Sequence, residues 1–385
     1  MRTSLIVSLL ILLSLDVNTA QSQESSIVTT GPENGTLLII GGRASDIFYE
    51  KFMDLVGGPE TPIVVIPTAI TSAEINEERQ EQFKQGFINR GFTNVTVLHT
   101  RDREVSNSDE FTAPIKAAKG VWFSGGRQWR HADSYLNTKA HEAFHELLDR
   151  GGVIAGSSAG ATIQGSYLAR GDTGGNTLMM GDHEEGLNFL TNVAIDQHLF
   201  ARNRQFDLFE ILEHKPELLG IGLDEDTGII VKGQRFSVFG NSYVAMYDGT
   251  KWSAERNEIK KLESGAHDFY VLKQGDQYDL TRRKVVEFED RAFIEPSKDD
   301  LKNYQGLYQS EDEDGIRHIR VFVKKGKLMT EQLWNNNQRQ LLIENDKEMI
   351  TEGSNLLMEF QIKNNKVTGF FIPRINVFYT KIIEE

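Results

Sequence analysis

The sequence predicts an α/β domain with a parallel sheet, followed by a small all-β domain. First, uniformly apolar runs alternate with helical stretches up to about residue 287, a pattern typical of a parallel sheet covered on both faces. Second, several of these runs end in glycine pairs. Third, beyond residue 298 the apolar runs are short and follow one another without helical stretches between them. A chain of 385 residues is expected to hold two domains of this kind.

Five apolar runs in the first part predict buried strands. They cover residues 37–40, 63–66, 95–98, 120–123 and 153–155. A helix is predicted between Ala73 and Gly91. In open sheets of this type the site lies beyond the carboxyl ends of the strands. The glycine pairs at 41–42 and 125–126 fall at such ends, so the sequence predicts one crevice there.

The C-terminal part, residues 298–385, predicts an antiparallel β meander that forms a small barrel or sandwich. Its apolar runs cover residues 319–323, 327–329, 340–343, 357–362 and 367–371. Glycines and an asparagine pair separate them, and residues 293–297 read as a linker. The stretch LKNYQGLY at 301–308 resembles the start of β-barrel modules appended to secreted serine hydrolases, which implies an accessory domain.

The N-terminus predicts an export signal over residues 1–20. Arg2 supplies a positive charge, an apolar core follows at 5–15, and small residues lead to Ala20. The core is short for a bilayer span, although an uncleaved membrane anchor is the alternative. The mature protein is therefore predicted to be secreted or periplasmic, to start near Gln21 without stable membrane association, and to open with a flexible segment over 21–35.

Composition excludes several classes of function. The net charge of -14 argues against nucleic acid and against an anionic membrane surface as partners. The chain contains no cysteine, which excludes disulfides, thiolate metal sites and cysteine nucleophiles. We predict neither a metal nor a cofactor.

The segment GSSAG at 156–160 is the strongest chemical signal in the chain. A serine between two glycines, at a turn from strand to helix, is the geometry of a nucleophile elbow. Such a turn presents the Oγ of Ser158 and leaves the backbone N–H of Ala159 free for an oxyanion. The alternative is a Gly/Ser-rich turn without chemistry.

A serine nucleophile needs a base, and His198 is the candidate. It follows Asp196 and Gln197 and precedes two arginines, which is an unlikely neighbourhood for a core histidine. Esterases of the α/β-hydrolase type share the serine motif, but their histidine lies much nearer the C-terminal end of the fold. His131, His141 and His145 lie at helical spacing and are predicted to be surface residues.

Four motifs in this order resemble the cyanophycinase family, which is grouped with dipeptidase E among the serine exopeptidases. The motifs are GGRQ at 125–128, GSSAGA at 156–161, DQH at 196–198 with Arg202 and Arg204, and GIGLDEDT at 220–227. The resemblance covers residues 36–287. It implies a flavodoxin-like three-layer sandwich related to class I glutamine amidotransferase domains, and hydrolysis of β-aspartyl-arginine linkages in cyanophycin or related aspartyl peptides.

The resemblance also implies roles for individual residues. Ser158 would be the nucleophile and His198 the base, with an oxyanion hole from the N–H groups of Gly126 and Ala159. A substrate pocket would involve Gln128, Asp196, Gln197, Arg202 and Arg204.

Two positions depart from the family pattern. The family places a glutamate after a glycine-rich stretch to orient the histidine, and Asn176 matches that position, with Asp172 and Asp182 as alternatives. Asp207 stands where the family has a third arginine, which puts the preference for the dipeptide's carboxylates in doubt. The remaining alternatives are a catalytically impaired secreted peptide-binding protein on the same fold and an α-aspartyl dipeptidase. The oligomeric state, a homodimer included, stays open.

Overall fold

The structure is a computed structural model that describes residues 28–70, 75–249, 269–286, 291–312, 315–354, 356–375 and 377–382. The predicted export signal at 1–20 lies outside these residues, and so does the segment 21–27. The expectation of a flexible segment over 21–35 fails for its described part. Thr29 is fully buried, Arg283 Nη2 donates a hydrogen bond of 2.8 Å to its Oγ1, and Thr30 forms a β-bridge with Thr191.

Strands and helices alternate up to β5, and strands predominate from β6 onward. The helices are α1 (Asp46–Val56), α2 (Glu77–Ile88), α3 (Arg103–Ser106), α4 (Asp109–Ala117), α5 (Trp129–Tyr135), α6 (Lys139–Asp149), α7 (Ala159–Thr162), α8 (Leu208–His214) and α9 (Lys298–Tyr304). The strands of the first domain are β1 (Thr36–Ile40), β2 (Ile63–Ile66), β3 (Val95–Val97), β4 (Gly120–Phe123), β5 (Val153–Ser157), β6 (Gly165–Tyr167), β7 (Leu190–Gln197), β8 (Leu219–Leu223), β9 (Thr227–Lys232), β10 (Arg235–Gly240), β11 (Tyr243–Asp248), β12 (Phe269–Lys273), β13 (Gln277–Asp279) and β14 (Lys284–Val285). Those of the second are β15 (Gly306–Asp312), β16 (Gly315–Lys324), β17 (Lys327–Gln332), β18 (Asn337–Ile343), β19 (Glu348–Thr351), β20 (Leu356–Lys363), β21 (Lys366–Ile372) and β22 (Val377–Ile382).

A nine-stranded sheet forms the centre of the first domain, in the order β14-β13-β10-β9-β1-β5-β4-β2-β3. Strands β1, β5, β4, β2 and β3 are parallel, and they are the five strands that the apolar runs predict. The prediction of an α/β fold with a parallel sheet is therefore confirmed. The sheet differs in being mixed, because β9 pairs antiparallel with β1 and continues into β10, β13 and β14.

The first domain contains a second sheet, of order β12-β11-β8-β7-β6. The sequence patterns did not predict that these strands form a sheet of their own. Its residues Ile195 and Ile221 share one buried apolar cluster with Ile39 and Ile154 of the large sheet. That cluster also takes in buried residues of α4 and α6, whereas α1 and α2 pack on the opposite face of the large sheet. The second sheet therefore forms part of the layer that covers one face of the first.

The ends of four strands from the two sheets meet at one point. The N–H of Ser158, just after β5, donates to Ile40 O at 3.0 Å, at the end of β1. The N–H of His198, just after β7, donates to Gly41 O at 3.0 Å. Strand β7 is parallel to β8, with Gln197 opposite Leu223. The carboxyl ends of these strands therefore converge, as expected for a site in an open sheet.

The second domain is a closed barrel of eight strands, β15 to β22, in which each strand pairs with the next and β15 pairs with β22. The prediction of a small all-β domain is confirmed, and of the two forms it allowed, the barrel is the observed one. The predicted runs lie in β16, β17, β18, β20 and β21, while β15, β19 and β22 were missed. Buried aromatic side chains fill the interior, and α9 packs on it through Leu301 and Tyr304.

Polar contacts join the barrel to the first domain. Glu344 accepts a hydrogen bond of 3.1 Å from Gln277 Nε2 and forms an ion pair of 3.4 Å with Arg291. Lys51 of α1 lies 3.7 Å from Glu359 of β20, and burial raises the pKa of Glu359. Within the described parts of the chain, no helix has the length and apolar character needed to cross a membrane.

Phe370 is expected to be an essential core residue of the barrel. It is fully buried and its ring centre lies 4.9 Å from that of Tyr308 and 5.0 Å from that of Tyr379. Phe370→Ala should lower the free energy of unfolding by about 3–5 kcal/mol because it leaves a cavity. Phe378→Ala, at a side chain that is 37% exposed, is the control and should cost less than about 1.5 kcal/mol. Urea unfolding followed by circular dichroism measures both, and equal losses would contradict this description of the core.

Candidate active site

Ser158 lies on a strained turn between β5 and α7. Its φ of 58° and ψ of -114° are unusual for a residue with a Cβ atom. The two flanking glycines make the turn feasible. A Cβ on Gly156 would lie 2.1 Å from Gly160 O, and a Cβ on Gly160 would lie 2.1 Å from Phe123 O. The GSSAG segment therefore forms the sharp strand-to-helix turn that its sequence predicts.

The Oγ of Ser158 lies 2.9 Å from Nε2 of His198, a hydrogen-bond distance. His198 is only 5% exposed and has a left-handed φ of 55°. Its other ring nitrogen, Nδ1, lies 2.7 Å from Oε1 of Glu225. With Nδ1–H donating to the carboxylate, Nε2 carries a lone pair that faces the serine hydroxyl, which is the tautomer a general base needs.

Glu225, and not Asn176, contacts the histidine. The interpretation of Asn176 as the orienting residue is corrected, because its backbone carbonyl accepts a 3.1 Å hydrogen bond from Arg170 Nη1 and its buried Oδ1 has no partner among the described residues. The alternative Asp182 binds Thr173 and His183, and the carbonyl of Asp172 accepts from Arg127. None of these three hydrogen bonds involves His198.

The sequence contained a signal for Glu225. The motif GIGLDEDT was part of the family resemblance but received no role. The apolar half of this motif forms β8, which lies beside β7 in the second sheet. Glu225 therefore follows the end of β8 at the same level at which His198 follows the end of β7. The acidic run at 224–226, which follows a short apolar run, is the signal in the sequence that points to this position.

The loop that bears His198 is held from two sides. Asp224 Oδ1 accepts hydrogen bonds from the N–H groups of Phe200, at 3.0 Å, and Ala201, at 2.9 Å. On the other side Gly42 lies against the imidazole, since a Cβ there would be 2.3 Å from Cε1 of His198. Gly42 also has a φ of 152°, so glycine is required here both for the backbone turn and for the close approach to the imidazole.

Burial lowers the pKa of His198 from its ordinary value, because the charged form loses solvation. The hydrogen bond to Glu225 acts in the opposite direction, and the positive charges of Arg202 and Arg204 lower the pKa further. A general base must be neutral to accept a proton. The surroundings of His198 therefore favour the active form at neutral pH.

The residues expected to form the oxyanion hole lie beside the serine. A Cβ on Gly125 would be 3.7 Å from Ser158 Oγ, so the 125–126 turn runs alongside the nucleophile. Gly126 has a φ of 143°, and a Cβ there would clash with Ala69 O at 1.9 Å. Ala159 is the first residue of α7, and N–H groups at a helix start lack partners within the helix. The donor roles of Gly126 and Ala159 stay a prediction.

Three of the predicted substrate-binding residues are used within the protein. Asp196 is fully buried and forms a two-pronged ion pair with Arg170, with distances of 2.9 and 3.1 Å. Arg204 Nη1 donates to the backbone O of Gln197 at 3.0 Å and to its side-chain Oε1 at 2.5 Å. The expectation that Asp196, Gln197 and Arg204 are free to bind substrate is therefore corrected. They form a buried polar network beneath the histidine.

The remaining predicted residues differ in exposure. Arg202 is exposed and close enough to His198 to influence its pKa. Gln128 is fully buried, and its Nε2 donates to Ala169 O at 2.7 Å, while its Oε1 is without a hydrogen-bond partner in the described part of the chain. Asp207, the residue in place of the family's third arginine, forms an ion pair with Arg170.

His131, His141 and His145, the other histidines considered as ligands, contact backbone carbonyls of the first domain. His131 is fully buried, contrary to the prediction of a surface residue, with its Nε2 3.2 Å from Ser124 O, and burial lowers its pKa to about 4. His141 and His145 are half-buried and both approach Leu187 O. The Nδ1 of His141 accepts a hydrogen bond from Asn137 N–H, so the neutral ring carries its proton on Nε2. That tautomer has no lone pair on Nε2 for a metal.

An α/β sandwich in which a strained serine, a histidine and a glutamate are joined in this order has the catalytic arrangement of a serine hydrolase. The sequence profile described as Peptidase family S51 matches residues 37–239, more than half of the chain. The chain belongs to this family.

The chain is similar to two cyanophycinases and to one solved structure of a peptidase. Cyanophycinase of Trichormus variabilis is 28% identical over 290 residues, which cover 71% of this chain and 91% of the relative. Cyanophycinase of Geminocystis herdmanii is 28% identical over 255 residues, 63% of this chain and 93% of the relative. A solved structure of a peptidase from an acI-B1 Actinobacterium covers 65% of this chain and 98% of its own, with 24% identity and a TM-score of 0.49.

Glu225→Gln should lower kcat by about 10³- to 10⁴-fold, with little change in KM. The amide cannot stabilise the imidazolium and can hold the ring in the wrong tautomer. Asn176→Ala is the matched comparison and should change kcat by less than about threefold, because no side-chain contact with His198 is lost. Steady-state kinetics with an aspartyl peptide measure kcat and KM for both variants, and the rate of fluorophosphonate labelling at Ser158 should fall in parallel with kcat. A strong loss in Asn176→Ala with a weak one in Glu225→Gln would contradict the observed arrangement.

Proposed function

We propose that the protein is an exported serine exopeptidase that hydrolyses β-aspartyl linkages in cyanophycin or related aspartyl peptides. The observation that carries the proposal is the continuous chain of contacts from Ser158 Oγ through His198 to Glu225. Because Glu225 supplies a carboxylate to the histidine, the argument for a catalytically impaired binding protein, which rested on Asn176, loses its basis.

The geometry supports a reaction through an acyl-enzyme on Ser158. The Oγ of Ser158 attacks the scissile carbonyl while Nε2 of His198 accepts the hydroxyl proton, and Glu225 stabilises the resulting imidazolium. The N–H groups of Gly126 and Ala159 are the donors for the oxyanion. The C–N bond then breaks, and the leaving amine takes its proton from His198. Water, activated by the same histidine, attacks the acyl-enzyme and releases the acid and the free serine.

Two observations support an aspartyl peptide as substrate. Two relatives that match this chain over more than nine tenths of their own length are cyanophycinases. In addition, Arg202 is an exposed cation near the catalytic histidine, and a guanidinium suits a substrate carboxylate. Arg170 and Arg204 differ from Arg202 because their guanidinium groups already bind a carboxylate and a side-chain amide within the protein. We therefore assign carboxylate recognition to Arg202 rather than to an arginine cluster.

Export is the part of the proposal that rests on the N-terminal sequence. Arg2, the apolar core at 5–15 and Ala20 have the order of a cleavable signal. The absence of cysteine is compatible with an oxidising compartment, where free thiols would be a liability. Mass determination of the protein from the extracellular or periplasmic fraction would test it, and a mature chain that still begins at Met1 would contradict it.

Ser158→Ala should abolish turnover while the protein stays folded. Loss of the nucleophile in a triad costs about a million-fold in kcat. Ser157→Ala is the adjacent control and should retain activity within about tenfold. Mass spectrometry of the products from cyanophycin and from a panel of α- and β-aspartyl dipeptides gives the readout. Cleavage of the α-linked peptides alone would replace the β-aspartyl assignment with an α-aspartyl dipeptidase.

Arg202→Lys should lower kcat/KM for β-aspartyl-arginine by about tenfold, since lysine cannot form two parallel hydrogen bonds with a carboxylate. β-Aspartyl-lysine should be affected to the same degree because it has the same carboxylate. An amidated analogue should be a poor substrate of the wild type and insensitive to the substitution. Equal kcat/KM values for all three substrates in the wild type would show that Arg202 does not read a carboxylate.

A further inference from the structure

We propose that Arg43 is a positioning residue of the catalytic site, which acts through Glu225 by fixing its second carboxylate oxygen. Arg43 Nε lies 3.1 Å from Oε2 of Glu225, while Oε1 of the same carboxylate binds Nδ1 of His198. The inference deepens the proposed serine-hydrolase function and rests on it. With Arg43 included, the series of contacts comprises four residues, Arg43, Glu225, His198 and Ser158.

The backbone at Arg43 is unfavourable for an arginine. Its φ of 43° lies in the left-handed region, where glycine is the residue of lowest cost. The two residues before it are glycines, and one of them also has a positive φ. A glycine would therefore suit this turn, yet position 43 carries a long charged side chain. Such a conformation persists where the surrounding structure requires the residue.

Stability alone does not explain the side chain. The Arg43 side chain is 81% exposed, and ion pairs with one strongly exposed partner add little to folding. Among the residues that the structure describes, the guanidinium pairs with Glu225, whose side chain is 17% exposed. The guanidinium is thus held at the outer side of a catalytic carboxylate, where it restricts the rotation of that carboxylate. A carboxylate fixed at both oxygens keeps Oε1 aligned with the imidazole.

The turn around Arg43 is itself built onto the site. The carbonyl of Gly42 accepts a 2.8 Å hydrogen bond from Asp226 N–H, and the N–H of Ser45 donates to Asp226 Oδ1 at 3.0 Å. Gly42 also lies against the imidazole of His198. The turn after β1 therefore encloses the His198–Glu225 pair, and Arg43 completes the enclosure with its side chain.

Arg43 also affects the charge at the histidine. The charge of Glu225, from the end of β8, raises the pKa of His198, whereas Arg202 and Arg204, from the loop after β7, lower it. Arg43 lies behind Glu225, 3.1 Å from its Oε2. Without Arg43, the negative charge of Glu225 is no longer offset. The imidazolium then becomes more favourable, so the pKa of His198 rises. The acid limb of the pH–rate profile, which reports loss of the neutral base, moves to higher pH.

Arg43→Gly tests the inference, because it removes the guanidinium and relieves the backbone. The protein should unfold at the same or a higher temperature, whereas the rate of fluorophosphonate labelling at Ser158 should fall about three- to tenfold. The acid limb of that rate should move up by roughly half a pH unit. Arg43→Lys should recover most of the pH profile. Arg43→Asn, which tolerates the left-handed conformation without the charge, repeats the test if the glycine variant is less stable.

Lys325→Gly is the matched control. Lys325 is an exposed cation with a φ of 51° in the hairpin between β16 and β17, in the barrel. The substitution removes the same charge and the same backbone strain away from the catalytic residues. It should leave the labelling rate and its pH profile unchanged. A shift equal to that of Arg43→Gly would show a general effect of net charge and would overturn the inference.

A second readout separates this inference from the proposed function. NMR titration of histidine labelled with ¹³C at Cε1, with the His198 signal identified by its loss in His198→Gln, gives the pKa without any turnover. A higher pKa of His198 in Arg43→Gly supports the coupling even if wild-type Ser158 fails to react, in which case the proposed function alone is wrong. An unchanged titration together with an unchanged labelling rate would show a passive surface ion pair and would overturn the inference.

Discussion

The contact between His198 Nδ1 and Glu225 Oε1 is the interaction on which the catalytic arrangement depends, because it fixes which nitrogen faces Ser158. It exists because β7 and β8 run parallel and end at the same level, so that the residue after one strand meets the second residue after the other. The hydrogen bonds from Ser158 N–H to β1 and from His198 N–H to Gly41 then bring the two sheets to a common edge. Secondary structure thus positions all three groups, and long flexible loops are not needed to align them.

Most of the first domain could be predicted from local sequence. The five parallel strands are uniformly apolar, and that pattern depends only on burial of both faces. The second sheet was missed for two reasons. Strand β7 is apolar only over residues 193–195 of its central part, and the sequence does not state which sheet a hydrophobic run such as β8 or β11 joins. In the barrel, β19 has only four residues and β22 ends among polar ones, so neither stood out as a run.

The site shows the same division between local and long-range information. Ser158 and His198 were identified because each lies in a short motif with its own chemical signature. Glu225 was missed because its role depends on strand pairing across 27 residues, and Asn176 was predicted because it matches the position of a glutamate in the family pattern. Asp196 was assigned to substrate because nothing in the sequence shows that Arg170 reaches it from 26 residues away. Removing one partner of such a buried ion pair costs about 3–5 kcal/mol, so Asp196 holds the strand of His198 in place.

The barrel has one consequence that concerns other molecules. Because β15 pairs with β22, every strand of the barrel has neighbours on both sides, and the ladder of backbone hydrogen bonds closes on itself. Open sheet edges are the places where a strand from another chain can add itself, and a closed sheet removes them. A peptide, a second copy or a misfolded chain can therefore not extend this domain by strand addition. Any partner that binds the barrel must recognise side chains on its outer surface and in its loops.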